Sequence, residues 1–249
     1  MEYKELIKLF NINKNDVVFF CSDIIKLIIY YKSIKKEFYP NNFIDSIIDE
    51  IGKGGTLIFP TYNWGFCRGK VFDIKNSKSE TGALSNTALR RKDFSRTKHP
   101  IYSFAVFGKH KNYLCNLKNK RGFGKDSPFD FMYKNNAKII TVGTAIKEGL
   151  TIMHYFEEKA KVEYRFHKYF KSNYIDIRGK SSVKIYSMYV KYLKAKKPNY
   201  SAAFWIHLEK QNLLKRGLFK NIEYSIINIK GAGDIIHSDL LKDRKYYRA

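Results

Sequence analysis

Four short apolar runs constrain this chain most: Val17–Cys21, Thr56–Phe59, Tyr102–Phe107 and Lys138–Val142. Each has the length of a strand, and each is apolar at consecutive rather than alternate positions. Strands of that kind are covered on both faces, as in a sheet sandwiched between helices. Between the runs the apolar spacing is helical. Phe43, Ile44, Ile47, Ile48 and Ile51 form one stripe, and Ala83, Leu84, Thr87, Ala88 and Leu89 form another. Gly52, Gly54 and Gly55 stop the first stripe, and Pro60 ends the strand that follows. Helices are also predicted over 2–10, from Ser127-Pro128 onward and over 151–159. Beyond Glu163 the reading is strands over 181–191 and 223–230, and helices over 199–214 and 234–242. The alternation predicts an α/β fold: a central mixed sheet flanked by helices, with an α+β C-terminal annex. We read one domain over 1–249, with a core over 1–170 and the annex over 171–249. Residues 194–199 (KAKKPN) are the most linker-like stretch.

At 249 residues the chain is long enough for a sizeable core, and its 44 % hydrophobic content excludes wholesale disorder. No apolar run reaches the roughly 18–20 residues that span a bilayer. The N-terminal segment, with acids and lysines at helical spacing, does not read as a secretion signal. The expectation is a soluble cytoplasmic protein without membrane insertion, monomer or homodimer. Cys21, Cys67 and Cys115 are far apart and odd in number, which argues against a disulfide framework or a cysteine zinc site. The net charge of +24 points to a polyanion: nucleic acid, an anionic membrane surface or a phosphorylated small molecule. Its lysines are scattered rather than stacked in one block, and such a composition also fits an AT-rich coding sequence.

Neither phosphate-binding glycine fingerprint is present, nor HExxH, nor GxSxG. The six histidines show no metal spacing, so no metal is expected. The sharpest local feature is Thr151-Ile-Met-His154-Tyr-Phe-Glu157. Three residues apart on a helix, His154 and Glu157 share a face. A carboxylate there fixes the imidazole tautomer and leaves the other nitrogen to take a proton. The same spacing also occurs in ordinary surface pairs.

In order along the chain stand GGTLIFPTYNW (54–64), TGALS (81–85), RTKHPIYSFAVFG (96–108), GKDSPF (124–129) and TIMHYFE (151–157). This series resembles the aminoglycoside 3-N-acetyltransferase family, closely over residues 16–170 and weakly beyond. The resemblance implies acetyl-coenzyme A as co-substrate and a primary amine of a sugar or cyclitol as acceptor. It implies His154 as general base and Glu157 as the carboxylate that orients it. By motif position Ser22, Thr81 and Ser85 lie around the coenzyme, and Arg96, His99 and Ser103 line the same cleft. Departures fall at Cys21-Ser22-Asp23, where the family has His-Ser-Ser, at Asn86 for a glutamate, at Ile152 for a serine and over the Lys- and Tyr-rich stretch 26–38.

Aminoglycosides are polycations and call for carboxylates, yet the motif loops offer mainly Asp73, Glu80 and Asp126. On charge we therefore expect a nucleotide-linked amino sugar, acetylated for surface-polysaccharide synthesis, with an aminoglycoside as the alternative acceptor. A basic nucleic-acid-binding protein is the alternative of another class, although no RRM, KH or zinc-finger signature is present. The expectation is direct transfer with no nucleic-acid partner and no acetyl-cysteine intermediate.

Overall fold

The computed structural model describes residues 3–196, 199–242 and 244–248. In chain order the elements are α1 (Lys4–Leu9), β1 (Val17–Ser22), α2 (Ile25–Ser33), α3 (Pro40–Ile51), β2 (Thr56–Pro60), β3 (Phe72–Asp73), α4 (Ala83–Arg90), β4 (Ser95–Arg96), β5 (Phe104–Gly108), α5 (Lys111–Asn116) and α6 (Pro128–Lys134). Then follow β6 (Lys138–Val142), α7 (Met153–Lys159), β7 (Arg165–Ile175), β8 (Ser181–Lys191), β9 (Asn199–Tyr200), α8 (Ala202–Lys210), β10 (Leu214–Phe219), β11 (Ile222–Asn228), α9 (Ile229–Leu241) and β12 (Tyr247–Arg248).

Seven strands form the central sheet in the order β10-β11-β6-β1-β2-β5-β4. Strands β6, β1 and β2 run parallel, and the outer strands pair antiparallel, so the sheet is mixed. Alternation along β1 sends Val17, Phe19 and Cys21 to one face and Val18 and Phe20 to the other. The second face is covered by α1, α2, α3 and α4, through residues such as Phe10, Leu27, Phe43 and Leu84. The first is covered by α6, α7 and α9, through Phe129, Phe156 and Ile236. Every residue of β2 is buried, which explains why its sequence carries no polar alternation.

A second sheet, β3-β7-β8, is built on a long hairpin whose two strands pair over Arg165–Ile175 and Ser181–Lys191. The C-terminal part thus has two destinations. Its hairpin forms this separate sheet, while β10 and β11 complete the central one.

Several local expectations shift. The helix expected over 199–214 occupies only Ala202–Lys210, because the apolar residues that follow pair as β10. The last helix starts at Ile229, earlier than read, and runs through Gly231 and Gly233. A Cβ on Gly233 would overlap the Phe156 ring of α7, so close packing of α9 explains a glycine within a helix. Residue 2 of the first predicted helix and residues 197 and 198 of the linker-like stretch lie outside the described residues. Among the described residues no helix is long and apolar enough to cross a membrane.

Candidate active site

After β1 the chain builds outward through β2 and β5, then returns to place β6 on the other side of β1. Such a reversal opens a crevice beyond the carboxyl ends of the parallel strands. Gly143, with φ +67°, makes the turn at the end of β6, where the Asp23 amide donates to the Val142 carbonyl at 3.0 Å. A single helical turn then leads into α7.

His154 stands in the first turn of α7, and Glu157 one turn on. Nδ1 of His154 lies 2.6 Å from Oε2 of Glu157. The carboxylate is only 2 % exposed, while the imidazole keeps 31 % of its side-chain surface open. The ring stands edge-on to Phe123 at 5.3 Å. Oε1 of Glu157 accepts the Tyr164 hydroxyl at 3.0 Å. Arg165 brings Nε to 2.7 Å from Oε2 and donates through Nη1 to the Tyr189 carbonyl at 3.2 Å. The Nε–H is poorly aligned on that oxygen, so the contact is an ion pair rather than a hydrogen bond. A buried carboxylate needs such partners for its remaining lone pairs. With Nδ1–H directed at Glu157, the lone pair of His154 sits on Nε2, at the open edge of the ring. Sequence reasoning missed Tyr164 and Arg165. They open a polar, lysine-rich hairpin strand, and nothing local marks them.

Tyr62, from the PTYNW motif, is buried and turns its hydroxyl toward Thr151, just ahead of His154. Burial holds its phenol well above the ordinary range. Neighbouring Cys21 is pushed up by burial too, which leaves it a neutral thiol.

Thr81 donates its hydroxyl to the Pro60 carbonyl at 2.5 Å, and Ser85 donates to the Thr81 carbonyl at 3.2 Å. Gly82, with φ +107°, lies so close to the end of β1 that a Cβ there would stand 3.2 Å from the Ser22 carbonyl. Ser22, Thr81 and the start of α4 are therefore brought together at the crevice. No side chain caps the α4 amides. An uncapped helix start of this kind suits the phosphates of a coenzyme. Asn86 bonds the Ser79 amide and the carbonyls of Ser79 and Gly82, which fixes this turn without the family's glutamate.

Arg96, His99 and Ser103 are buried. Arg96 donates Nε to the Ser103 hydroxyl, one Nη to the Thr61 carbonyl at 2.7 Å and the other to the Ser77 carbonyl. Ser103 in turn donates to the Thr61 carbonyl at 2.6 Å. His99 accepts the Tyr102 amide on Nδ1 at 3.1 Å, and burial lowers its pKa to about 3, so it stays neutral. All three side chains are buried with these polar atoms engaged. Through these bonds they brace the loops, and Arg96 also lines a cavity at the β4 edge.

Glu158, the residue after Glu157, is 12 % exposed and faces Arg121 Nη1 at 3.8 Å and His167 Nε2 at 3.4 Å. Burial raises its pKa to about 7, and Arg121 offsets part of the rise. Among the described residues no group of His, Cys, Asp and Glu could hold a metal ion.

The family described as aminoglycoside 3-N-acetyltransferase matches over residues 32–240. Among curated proteins none matches the sequence. Similar solved structures include AAC-IIIb in binary complex with CoASH, at 14 % identity and TM-score 0.76, covering 96 % of this chain and 94 % of that one. AAC-VIa with sisomicin bound is 15 % identical, covers 97 % of both chains and has a TM-score of 0.75. YokD from Bacillus subtilis is 18 % identical, covers 97 % of this chain and 94 % of its own, and has a TM-score of 0.73. These likenesses show a common fold.

Proposed function

This chain belongs to the aminoglycoside 3-N-acetyltransferase family, and from that premise we propose that it acetylates a primary amine of an aminoglycoside-type sugar, with His154 as general base. Acetyl-coenzyme A supplies the acyl group as a thioester. The observation that carries the reading is the 2.6 Å contact between His154 Nδ1 and Glu157 Oε2, which leaves Nε2 open. An ammonium group has no lone pair and must lose a proton before it attacks a carbonyl. Nε2 accepts that proton. Glu157 holds the ring in the required tautomer and faces the positive charge that the ring gains. The new C–N bond forms as the C–S bond breaks, and the proton held by His154 can pass to the departing thiolate.

The uncapped amides of α4 and the neighbouring Ser22 and Thr81 would hold the coenzyme phosphates. Thr81 and Ser85 shape this start by bonding main-chain carbonyls. Phe123, edge-on to the His154 ring, and the buried Tyr62 beside Thr151 would help keep water from the reacting thioester.

For the acceptor, the reading rests on the family match over residues 32–240. The net charge of +24 favours a second reading, in which the acceptor is a nucleotide-linked amino sugar of surface-polysaccharide synthesis. Thiol release from acetyl-coenzyme A, measured against a panel of aminoglycosides and a panel of nucleotide-linked amino sugars, separates the two. Release with aminoglycosides alone is the expected result. Release only with the nucleotide-linked panel overturns the acceptor assignment.

A further inference from the structure

The basic excess of this chain has a focus away from His154. A cavity of about 760 Å³ lies where the β4 edge of the central sheet meets the β7–β8 hairpin. Its rim carries Lys75, Lys98, Lys118, Lys120 and Lys184. Among the described residues none of these ammonium groups forms an ion pair within 4.0 Å. Asp176 is the one acid in the lining; its carboxylate accepts the amides of Arg178 and Lys180 and attracts Lys184, which leaves the other four lysines of the rim in excess. Arg96 lines the cavity too, with one N–H of each of its three nitrogens donated to Ser77, Thr61 and Ser103.

The floor is apolar and aromatic: Leu89, Phe94, Tyr174 and Tyr186. Lys184 Nζ sits 4.0 Å above the Tyr174 ring, and Lys120 Nζ 4.4 Å above the Tyr186 ring. Ring faces hold a cation in place without neutralising it. Tyr174 is itself pinned by donating its hydroxyl to the Lys98 carbonyl at 3.0 Å. Like charges gathered in one concavity repel, and that cost is repaid only by an anion. Burial, and to a lesser degree the neighbouring Lys184, push the Lys120 pKa down.

We infer that this cavity binds a phosphorylated nucleotide, its phosphates on the lysine rim and its base against the apolar lining formed by Ile74, Leu89, Phe94 and Ile177. The volume falls within the roughly 300–1,000 Å³ of small-molecule sites, which is too confined for a duplex or a membrane surface. Lysine serves phosphate as a point charge that needs no fixed approach geometry. His154 is not among the residues that line this cavity. From His154 the ring contacts run to Phe123, Tyr102, His99 and Tyr186, and the rings in between are all buried. The site stands independently of the acetyl-transfer reading, because its test measures binding alone.

Calorimetric titration with ADP, UDP and inorganic pyrophosphate tests it, on the wild type and on the double variant Lys120→Glu/Lys184→Glu. A Lys26→Glu/Lys32→Glu variant on α2 serves as a control of equal net charge. Lys75→Glu, at an exposed rim position, stands in if the double variant does not fold. Saturable nucleotide binding that weakens at least about 30-fold in the rim variant, and not in the control, is expected for two lost charge-assisted contacts. Persistence of that binding under saturating coenzyme A is expected, whereas competition by coenzyme A would make the cavity part of the coenzyme site and overturns the proposal. No saturable binding, equal loss in the control, or pyrophosphate binding as tightly as ADP overturns the proposal.

Discussion

Arg165 brings Nε within 2.7 Å of Oε2 of Glu157, the same carboxylate oxygen that faces His154. His154, Glu157 and Arg165 therefore form one connected polar group whose outermost member comes from the first residue of β7. Replacing Arg165 by Met removes the counter-charge of the buried Glu157 carboxylate that positions His154. We expect kcat to fall about 10-fold, while KM for acetyl-coenzyme A stays close to the wild-type value. An unchanged kcat would show that Glu157 holds His154 without Arg165.

Glu157→Gln keeps a hydrogen-bond acceptor for His154 and loses the charge. We expect kcat to fall about 10- to 100-fold, less than for loss of the base itself. The variant should also be less stable, because Arg165 is left buried without its counter-charge, an effect of about 3 kcal/mol. Thermal denaturation and steady-state kinetics on one preparation read both. An unchanged melting temperature would mean that Arg165 finds another partner.

Glu158 makes stability depend on pH. Its carboxyl is raised from 4.5 to about 7, chiefly by burial. Below about pH 4.5 both the folded and the unfolded chain hold this proton. Between there and about pH 7 the folded chain keeps a proton that the unfolded chain releases, so stability falls as pH rises, and the loss is complete above about 7. Glu158→Gln should therefore raise stability by about 2 kcal/mol at pH 8 and leave it unchanged at pH 4. An equal effect at both values would trace to packing.

Gly143 admits no side chain. With φ +67° and a Cβ position that overlaps the Asp23 carbonyl, Gly143→Ala strains the junction of β1 and β6 at the crevice. A loss of about 3 kcal/mol is expected in urea denaturation, from left-handed strain plus steric crowding. A loss below about 1 kcal/mol would show that the junction yields easily.

Cys21 should carry no acetyl group. Burial keeps its thiol neutral, and burial likewise lifts Cys67 to about 11. Intact-protein mass spectrometry after incubation with acetyl-coenzyme A and no acceptor should show the unmodified chain. An acetyl adduct on a cysteine would replace direct transfer by a two-step route.

The parallel core was legible because β1, β2 and β6 are buried on both faces and so read as uninterrupted apolar runs. The His154–Glu157 contact was legible because helical periodicity alone brings residues three apart together. Tyr164 and Arg165 were not, since their approach to Glu157 depends on how β7 leaves α7. Nor was the burial of Arg96, His99 and Ser103: a polar loop ahead of a strand looks the same in sequence whether its side chains face solvent or each other. The C-terminal strands were partly masked for a similar reason. β10 reads Leu-Lys-Arg-Gly-Leu-Phe, an edge-strand pattern with little apolar signal, and only pairing with β11 reveals it. The fold within residues 1–170 was thus written mostly in local patterns, and the walls of the site in contacts between distant segments.

The central claim is that His154 takes the proton from the acceptor amine. Its most direct test is single-turnover acetyl transfer by wild type and His154→Ala at saturating acetyl-coenzyme A and an aminoglycoside acceptor, with coenzyme binding measured in parallel. The account predicts a loss of about 10³-fold or more in the transfer rate, within the range for removal of a general base, and coenzyme affinity within a few-fold of wild type. Transfer at the wild-type rate by His154→Ala would contradict it.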